Sequence, residues 1–387
     1  MKPDNRIRVM EIIARMNVGG PATQVAGLCE RLDSDEFDHR LYAGHVDGGE
    51  GDHLNLRDTV IPVHRIPGLG RSVRPADYRA LRRLVAAMRE FRPHIVHTRT
   101  GKAGALGRLA VRLSGVDAAR IHVFHTPLPR GRPSRLRRSL RVRPQRFVAA
   151  RFVAAGCDRL VTGGFKVRDD LLSAGVGRLE QYVVIPPGVQ LGPIPDRMAA
   201  RRSLGIPADV PVVAYVGRLS RVKRPDRFVE VAREVLERMP DCRFLVCGGG
   251  ELREEVERAI RPVWDSFRLL GWRRDVETVY AAADVLLLTS DNEGTPLALV
   301  EAGMAGVPVV STRMGSVDEV VRDRRTGLLA DPDVAELTDH TVRLLKDPSL
   351  ARRMGEAARR WTTRAFGVDR LVTDTEALYR SLCGVPR

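Results

Sequence analysis

Residues 283–310 read ADVLLLTSDNEGTPLALVEAGMAGVPVV, and this stretch decides the fold. Val285 to Leu288 is a short unbroken apolar run, as in a strand buried on both faces of a parallel sheet. A polar loop from Thr289 to Gly294 follows, and the chain restarts as a helix. Thr295 is a good N-cap, and Pro296 suits the first helical position, where an N–H has no partner within the helix. Leu297 to Ala305 is apolar or small on every face except at Glu301, and Gly306 with Pro308 beyond it marks the stop. Strand, loop and core helix in this order predict an α/β sheet. Glu301 is the anomaly, because a carboxylate inside such a helix is costly unless it accepts hydrogen bonds. Glu293 lies at the strand end just outside the helix N-terminus, where open α/β sheets bind ligands and unpaired N–H groups favour anions.

At 387 residues the chain suits two domains, each able to bury its own core. The polar start, Met1 to Arg8, and the short apolar run after it do not read as a signal peptide, and no stretch is long enough for a membrane span. The five cysteines show neither metal-ligand spacing nor a disulfide framework, which predicts a reducing cytoplasm. The net charge of +16 invites a nucleic-acid reading. Only five of the 64 basic residues are lysines, however, and an arginine bias spread over the whole chain can reflect a GC-rich coding sequence. Aromatic residues for base stacking are sparse and no nucleic-acid-binding motif occurs, so nucleic acid is not expected as a partner.

The first half alternates short apolar runs with amphipathic ones, as in a parallel sheet covered by helices. A strand over Ile7 to Ala14 ends in Asn17-Val18-Gly19-Gly20-Pro21 before a helix. Gly19 and Gly20 either let a ligand approach the backbone or serve a tight turn; both readings stand. The loop lacks G-x-G-x-x-G, which argues against a dinucleotide there. Further strands are predicted at 39–43, 60–66, 94–97 and 119–126, with helices from Pro75 to Phe91 and from Gly101 to Leu113. His125 falls at the carboxyl end of its strand, the functional edge of such a sheet, or is a strand-end histidine satisfied by backbone. From Arg130 to Arg143 the chain carries seven arginines and no acid. Such a segment is a solvated loop or faces an anionic lipid or phosphorylated acceptor.

A Pro- and Gly-rich linker over 188–209 leads to a second sheet beginning at Val212 to Val216. Arg218 ends that strand, Lys223 follows five residues on, and Pro225 opens a helix. A guanidinium, an ammonium and a helix N-terminus address one anion, and a diphosphate is the natural occupant. Gly248-Gly249-Gly250 and the turn Trp272-Arg273-Arg274, with Asp275 as an N-cap, follow at later strand ends. Asp33-Ser34-Asp35 and Asp331-Pro332-Asp333 read as turn and cap chemistry rather than as a metal site.

The spacing from Glu293 to Glu301 resembles the E-x7-E motif of retaining GT-B glycosyltransferases, in particular glycosyltransferase family 4 (glycosyl transferases group 1). The Gly217-Arg218-Leu219 to Lys223 spacing, the glycine turn at Gly248 and the segment Ile121-His122-Val123-Phe124-His125 are similar to that family as well. The resemblance implies two doubly wound Rossmann-like domains facing a cleft. The first, residues 1–190, takes the acceptor, 191–364 binds the nucleotide-sugar, and 365–387 returns as a helix crossing back to the first. It implies transfer from a nucleotide diphosphate donor, uridine diphosphate favoured, to an acceptor hydroxyl with retention. Arg218 and Lys223 then hold the pyrophosphate, Glu293 and His125 the sugar, and Glu301 the ribose. Gly294, Thr295, Leu297, Gly248 and Arg274 line the donor, and Gly19 and Gly20 face the acceptor. The family implies neither metal nor cofactor.

Four positions depart from the family pattern: Thr126, Pro127, Gly163 and Pro187. They keep a non-catalytic sugar-nucleotide or anionic-polymer binder open as a rival, beside a UDP-sugar epimerase on the same architecture. A lipid-linked or anionic acceptor, with peripheral contact to the inner membrane face through Arg130 to Arg143, is the expectation for the partner.

Overall fold

A computed structural model of the chain describes residues 5–46, 51–56, 60–70, 77–125 and 142–384, with backbone alone at 56 and 142–147. Thr126, Pro127 and the arginine segment up to Arg141 therefore lie outside the described residues, as does the membrane contact expected of that segment. The chain divides into two compact units. One comprises the chain up to Gly188 and the segment from Val368 on; the other is essentially Val189–Gly367.

The first unit begins β1 (Ile7–Arg15), α1 (Gly20–Arg31), β2 (Phe37–Gly44), β3 (Val63–Arg65), α2 (Asp77–Phe91) and β4 (Ile95–Arg99). It continues α3 (Gly101–Ser114), β5 (Ala119–Phe124), α4 (Val142–Ala155), β6 (Arg159–Thr162), α5 (Phe165–Ser173) and β7 (Tyr182–Val184). Its seven strands pair in parallel in the order β3-β2-β1-β4-β5-β6-β7.

The second unit runs α6 (Arg197–Ser203), β8 (Val212–Val216), α7 (Pro225–Arg238), β9 (Arg243–Cys247), α8 (Arg253–Ile260), β10 (Phe267–Gly271) and α9 (Val276–Ala282). Then come β11 (Val285–Leu288), α10 (Leu297–Ala305), β12 (Val309–Thr312), α11 (Val317–Val320), β13 (Gly327–Ala330), α12 (Val334–Lys346) and α13 (Pro348–Phe366). Its six parallel strands lie in the order β10-β9-β8-β11-β12-β13. These are two doubly wound Rossmann-like sheets.

The apolar run that opened the argument behaves as a central strand should. All of β11 is buried, with Leu286 and Leu288 in the core under α6, α9 and α10 and Val285 and Leu287 in the core under α7, α8 and α12. Each such side chain contributes about 1.5–3 kcal/mol when fully buried. Strand order reverses between β8 and β11, and between β1 and β4 in the first unit. Ligand crevices of open α/β sheets form beyond the carboxyl ends of strands at such reversals.

Several boundaries differ from the sequence reading. The strand expected over 60–66 shrinks to β3, and Val60 is 90% exposed. β5 stops at Phe124, so His125 stands just past it. α10 starts at Leu297 with Pro296 in the N-cap position and no side-chain cap, so Thr295 does not cap it. Asp275 does precede α9, but its carboxylate is taken by Arg273 at 2.5–2.9 Å. The returning segment, expected from residue 365, begins slightly later: α13 runs to Phe366 in the second unit, and the chain changes unit at Gly367. The helix α14 (Val368–Cys383) packs Leu371, Leu378 and Tyr379 into the first unit's core beside Ile7, Val9 and Leu28. Arg370 secures it by donating to the Pro186 and Pro187 carbonyls at 2.5 and 3.1 Å, which gives Pro187 a structural role.

Candidate functional site

At the strand reversal of the second unit, two loops meet: 217–224 after β8 and 289–296 after β11. The glycine turn after β9 supports the first of them. Gly248 sits at φ 135°, and a Cβ there would lie 2.0 Å from the Gly217 carbonyl oxygen. The close approach is fixed by Gly217 N–H donating to Cys247 O at 2.9 Å and Leu219 N–H to Gly249 O at 2.9 Å. Arg218, partly exposed, is carried on this braced backbone, and its carbonyl accepts the Tyr215 hydroxyl at 2.9 Å. The indole of Trp272 packs on Gly249, where a Cβ would meet Nε1 at 2.8 Å. Trp272 therefore has a packing role.

Glu293 is 8% exposed and does not stand alone. Lys223 Nζ donates to its Oε1 at 2.5 Å, and Ser290 Oγ donates to the same oxygen at 2.6 Å. A buried ion pair holds when further hydrogen bonds satisfy its charges, and Ser290 supplies one. The loops are pinned together around it. Buried Arg227 donates to Thr289 O at 2.7 Å and to Asp291 Oδ1 at 2.8 Å, and the Thr289 hydroxyl donates to Arg224 O at 2.9 Å. Gly315 closes the far side: a Cβ there would fall 1.7 Å from the Glu293 carbonyl oxygen. Lys223 and Glu293, given separate tasks by the family resemblance, are one unit in this structure, beside the N-terminus of α10 and the backbone of Gly294, Thr295 and Leu297.

Glu301 lies one turn into α10. Tyr280 of α9, fully buried, donates its hydroxyl to Oε2 at 2.7 Å. Burial pushes the Glu301 carboxyl up to about 7, nearby Glu277 adds to this, and the Tyr280 hydroxyl opposes it. The residue stays partly exposed, so a ligand hydroxyl can reach a carboxylate whose protein partners leave it under-satisfied. Arg274 is exposed in the turn after β10, two strands from β8 along the same carboxyl edge.

In the first unit, His125 follows β5 and its Nε2 is buried without a hydrogen-bond partner among the described residues. Burial, with Arg99 and His97 adding to it, lowers His125 to about 3, so the ring is neutral at pH 7. Gly19 is the N-cap of α1 at φ 153°, and its carbonyl accepts from Ala22 and Thr23 at 3.1 and 3.2 Å. The tight-turn reading of Gly19 is thereby satisfied, and Gly20 is the first residue of the helix.

Sequence reasoning missed three features. Tyr280 and Ser290 look like ordinary helix and loop residues, and only tertiary contact reveals what they hold. Gly315 lies far from Glu293 along the chain, with no local pattern to show that it abuts it. The third is an ionic cluster inside the first sheet. Glu11 of β1 is fully buried, with His39 at 2.9 Å and Arg99 Nε on its carboxylate, while His97 bonds the Tyr379 hydroxyl at 2.7 Å. Burial opposes ionisation of Glu11, but Arg99, His97 and His39 hold its carboxyl well below the usual range. A carboxylate amid Met10, Ile12 and Ile13, with His97 and Arg99 in another buried strand, was the available signal.

Comparison with known proteins meets this geometry. The family model of glycosyl transferases group 1 matches residues 196–361, and that of glycosyltransferase family 4 matches 18–192. A D-inositol 3-phosphate glycosyltransferase of Actinosynnema mirum is 33% identical over 303 residues, 74% of this chain and 72% of the relative. The Escherichia coli UDP-Gal:alpha-D-GlcNAc-diphosphoundecaprenol alpha-1,3-galactosyltransferase is 28% identical over 362 residues, 90% of each chain. Among solved structures, sucrose-phosphate synthase of Thermosynechococcus elongatus superposes with a TM-score of 0.82 at 22% identity, covering 98% of this chain and all of the other. Anabaena HepE in complex with UDP and glucose gives 0.80 at 18% identity, covering 97% of this chain and all of the other. The fold is GT-B. The chain belongs to glycosyltransferase family 4, and glycosyl transfer is its class of activity.

Proposed function

We propose that the chain moves a sugar from a nucleoside diphosphate donor, uridine diphosphate first among them, to an acceptor hydroxyl with retention at the anomeric carbon and without a metal ion. The observation that carries this is the meeting of Lys223, Glu293 and the start of α10 at the strand reversal beside Arg218. In the reaction the bond from the anomeric carbon to the diphosphate oxygen breaks, and one to the acceptor oxygen forms. Charge builds on the departing diphosphate, where Arg218, Lys223 and the helix N–H groups stabilise it electrostatically. Glu293, released in part from Lys223 once phosphate shares that ammonium and still held by Ser290, holds sugar hydroxyls, and Glu301 the ribose. Neutral His125 offers a ring nitrogen to the sugar.

The uridine assignment is supported by the UDP complexes of Anabaena HepE and by the UDP-Gal donor in the E. coli relative's name. That relative's diphosphoundecaprenol substrate and the inositol phosphate in the names of others favour a lipid-linked or anionic acceptor. Contact with the inner membrane face through Arg130 to Arg143 belongs to this reading. No helix among the described residues is long and apolar enough to cross a membrane.

Thermal stability with EDTA against UDP-, GDP-, ADP- and dTDP-sugars tests it, since a ligand of the native state raises Tm by mass action. The expected result is a shift with UDP-sugars that disappears in Arg218→Ala, and turnover with retained anomeric configuration by NMR. Tight binding without turnover on any acceptor selects the non-catalytic reading. Absence of any shift rejects the sugar-nucleotide reading.

A further inference from the structure

A second concentration of positive charge lies on the second unit away from the site above. The turn Arg322–Thr326 directly precedes β13, at the amino edge of the sheet, whereas Lys223 and Glu293 follow strands at the carboxyl edge. Arg322, Arg325, Arg360 and Arg364 line one cavity of about 570 Å³ with Trp361, and no acid lines it. That volume is in the range of small-ligand sites, roughly 300–1,000 Å³, but the lining is charged rather than apolar.

Arginine is abundant throughout this chain, so charge by itself decides little. Three observations distinguish this group. The turn is rigid: Thr326 N–H and Arg325 N–H both donate to Arg322 O at 2.9 Å, and Arg322 N–H donates to Thr326 Oγ1 at 2.8 Å. The one acid within it, Asp323, is turned to Arg313 at 2.8 Å and to Leu329 N–H at 3.0 Å, so it does not neutralise its neighbours. The platform is also fixed, because Trp361 Nε1 donates to Val320 O at 2.8 Å and the Arg322 guanidinium lies 3.7 Å over its ring.

A guanidinium stacked on an indole keeps its in-plane N–H donors available and loses little further freedom when it binds an anion. Arg360 and Arg364 are like charges one helical turn apart, an arrangement that is unfavourable alone and that an anion relieves. None of the four arginines forms an ion pair with an acid among the described residues. We infer that this cavity binds a phosphate-bearing anion, with Arg322 on Trp361 as its fixed donor and Arg325, Arg360 and Arg364 closing around the phosphate. The site is separate from the donor diphosphate and does not depend on the proposed reaction.

Isothermal titration of the full chain with inorganic pyrophosphate at low salt tests it. R325E/R360E is expected to weaken one binding event at least about tenfold, while R218A/K223A leaves that event in place. Tm without ligand does not fall in R325E/R360E, since both positions are exposed and Arg360→Glu removes the repulsion from Arg364, and the response to UDP-sugars stays unchanged, since both lie outside the donor site. Should the double reversal fail to fold, Arg360→Gln alone serves, with a smaller loss. If pyrophosphate is not bound but vesicles containing phosphatidylglycerol are, and R325E/R360E abolishes this, the phosphate is that of a lipid headgroup. Binding that is lost only in R218A/K223A, or vesicle and pyrophosphate binding both indifferent to R325E/R360E, overturns the inference.

Discussion

Glu301, proposed to hold the ribose, is kept at the expense of the ligand-free fold. Its carboxyl, pushed up to about 7 chiefly by burial, binds a proton more tightly in the folded than in the unfolded state. A raised pKa contributes stability that is fully present below the unfolded value near 4.5 and is lost as pH rises through 7. At pH 8 the native state therefore carries an ionised carboxylate whose side-chain partner among the described residues is the Tyr280 hydroxyl. Glu301→Gln keeps the shape, removes that charge and should raise the ligand-free Tm at pH 8 by about 2–4 °C, while the UDP-sugar shift disappears. An unchanged or lower Tm would show that the carboxylate is better solvated than its surroundings indicate. The acid was visible in the sequence as an anomaly on an apolar helix. Its partner was not, because Tyr280 lies 21 residues away on α9.

At the level of elements, the loops after β8 and β11 hold each other rather than being held by the strands alone. The segment 289–296 is fixed by Arg227, by the carbonyls at 223 and 224, and by Gly315 from the loop after β12. Gly315 is at φ 61°, where a side chain is strained even without a neighbour. Gly315→Ala adds a collision with the Glu293 backbone, so the 289–296 loop must move. The expected result is a loss of about 1–3 kcal/mol in urea unfolding and a larger fall in donor affinity, measured by titration calorimetry. Donor binding unchanged in a stable Gly315→Ala protein would separate Glu293 placement from binding. The strand-loop-helix unit itself was legible from Val285 to Gly306, yet its helix start was misplaced by one residue. Thr295-Pro296 has the chemistry of a cap, but tertiary packing draws the loop on to Pro296 before the helix closes.

At the scale of the whole molecule, buried histidines set a pH dependence. His97, His122 and His125 are all held well below 6.5, with burial the main cause in each. The unfolded chain takes up protons at these groups below about pH 6.5 while the folded one does not, so stability falls as pH drops from there toward 3, by up to about 1.4 kcal/mol per pH unit for each. Glu301 opposes this with one group between 4.5 and 7. His39, which burial lowers but Cys29 and Glu11 push up to about 10, loses its contribution as pH rises from 6.5 to 10. Tm should therefore peak near neutrality and fall at both pH 5 and pH 9; a profile that is flat across that range would refute the buried-histidine account.

What the sequence determined by itself is local and periodic: parallel strands from unbroken apolar runs, helices from amphipathic ones, glycines where loops turn, and the spacing of Arg218, Lys223, Glu293 and Glu301. Those are properties of neighbouring residues, and neighbours suffice to read them. Tertiary structure alone decided the pairing of Lys223 with Glu293 across 70 residues and the clustering of Glu11, His39, Arg99 and His97 from three strands. It also decided where the return, which the resemblance implies from residue 365, begins: after Gly367. Each depends on strand order and on burial, which fix how far a charge is from its partners and from water. Pairs so distant along the chain leave no period or composition to read.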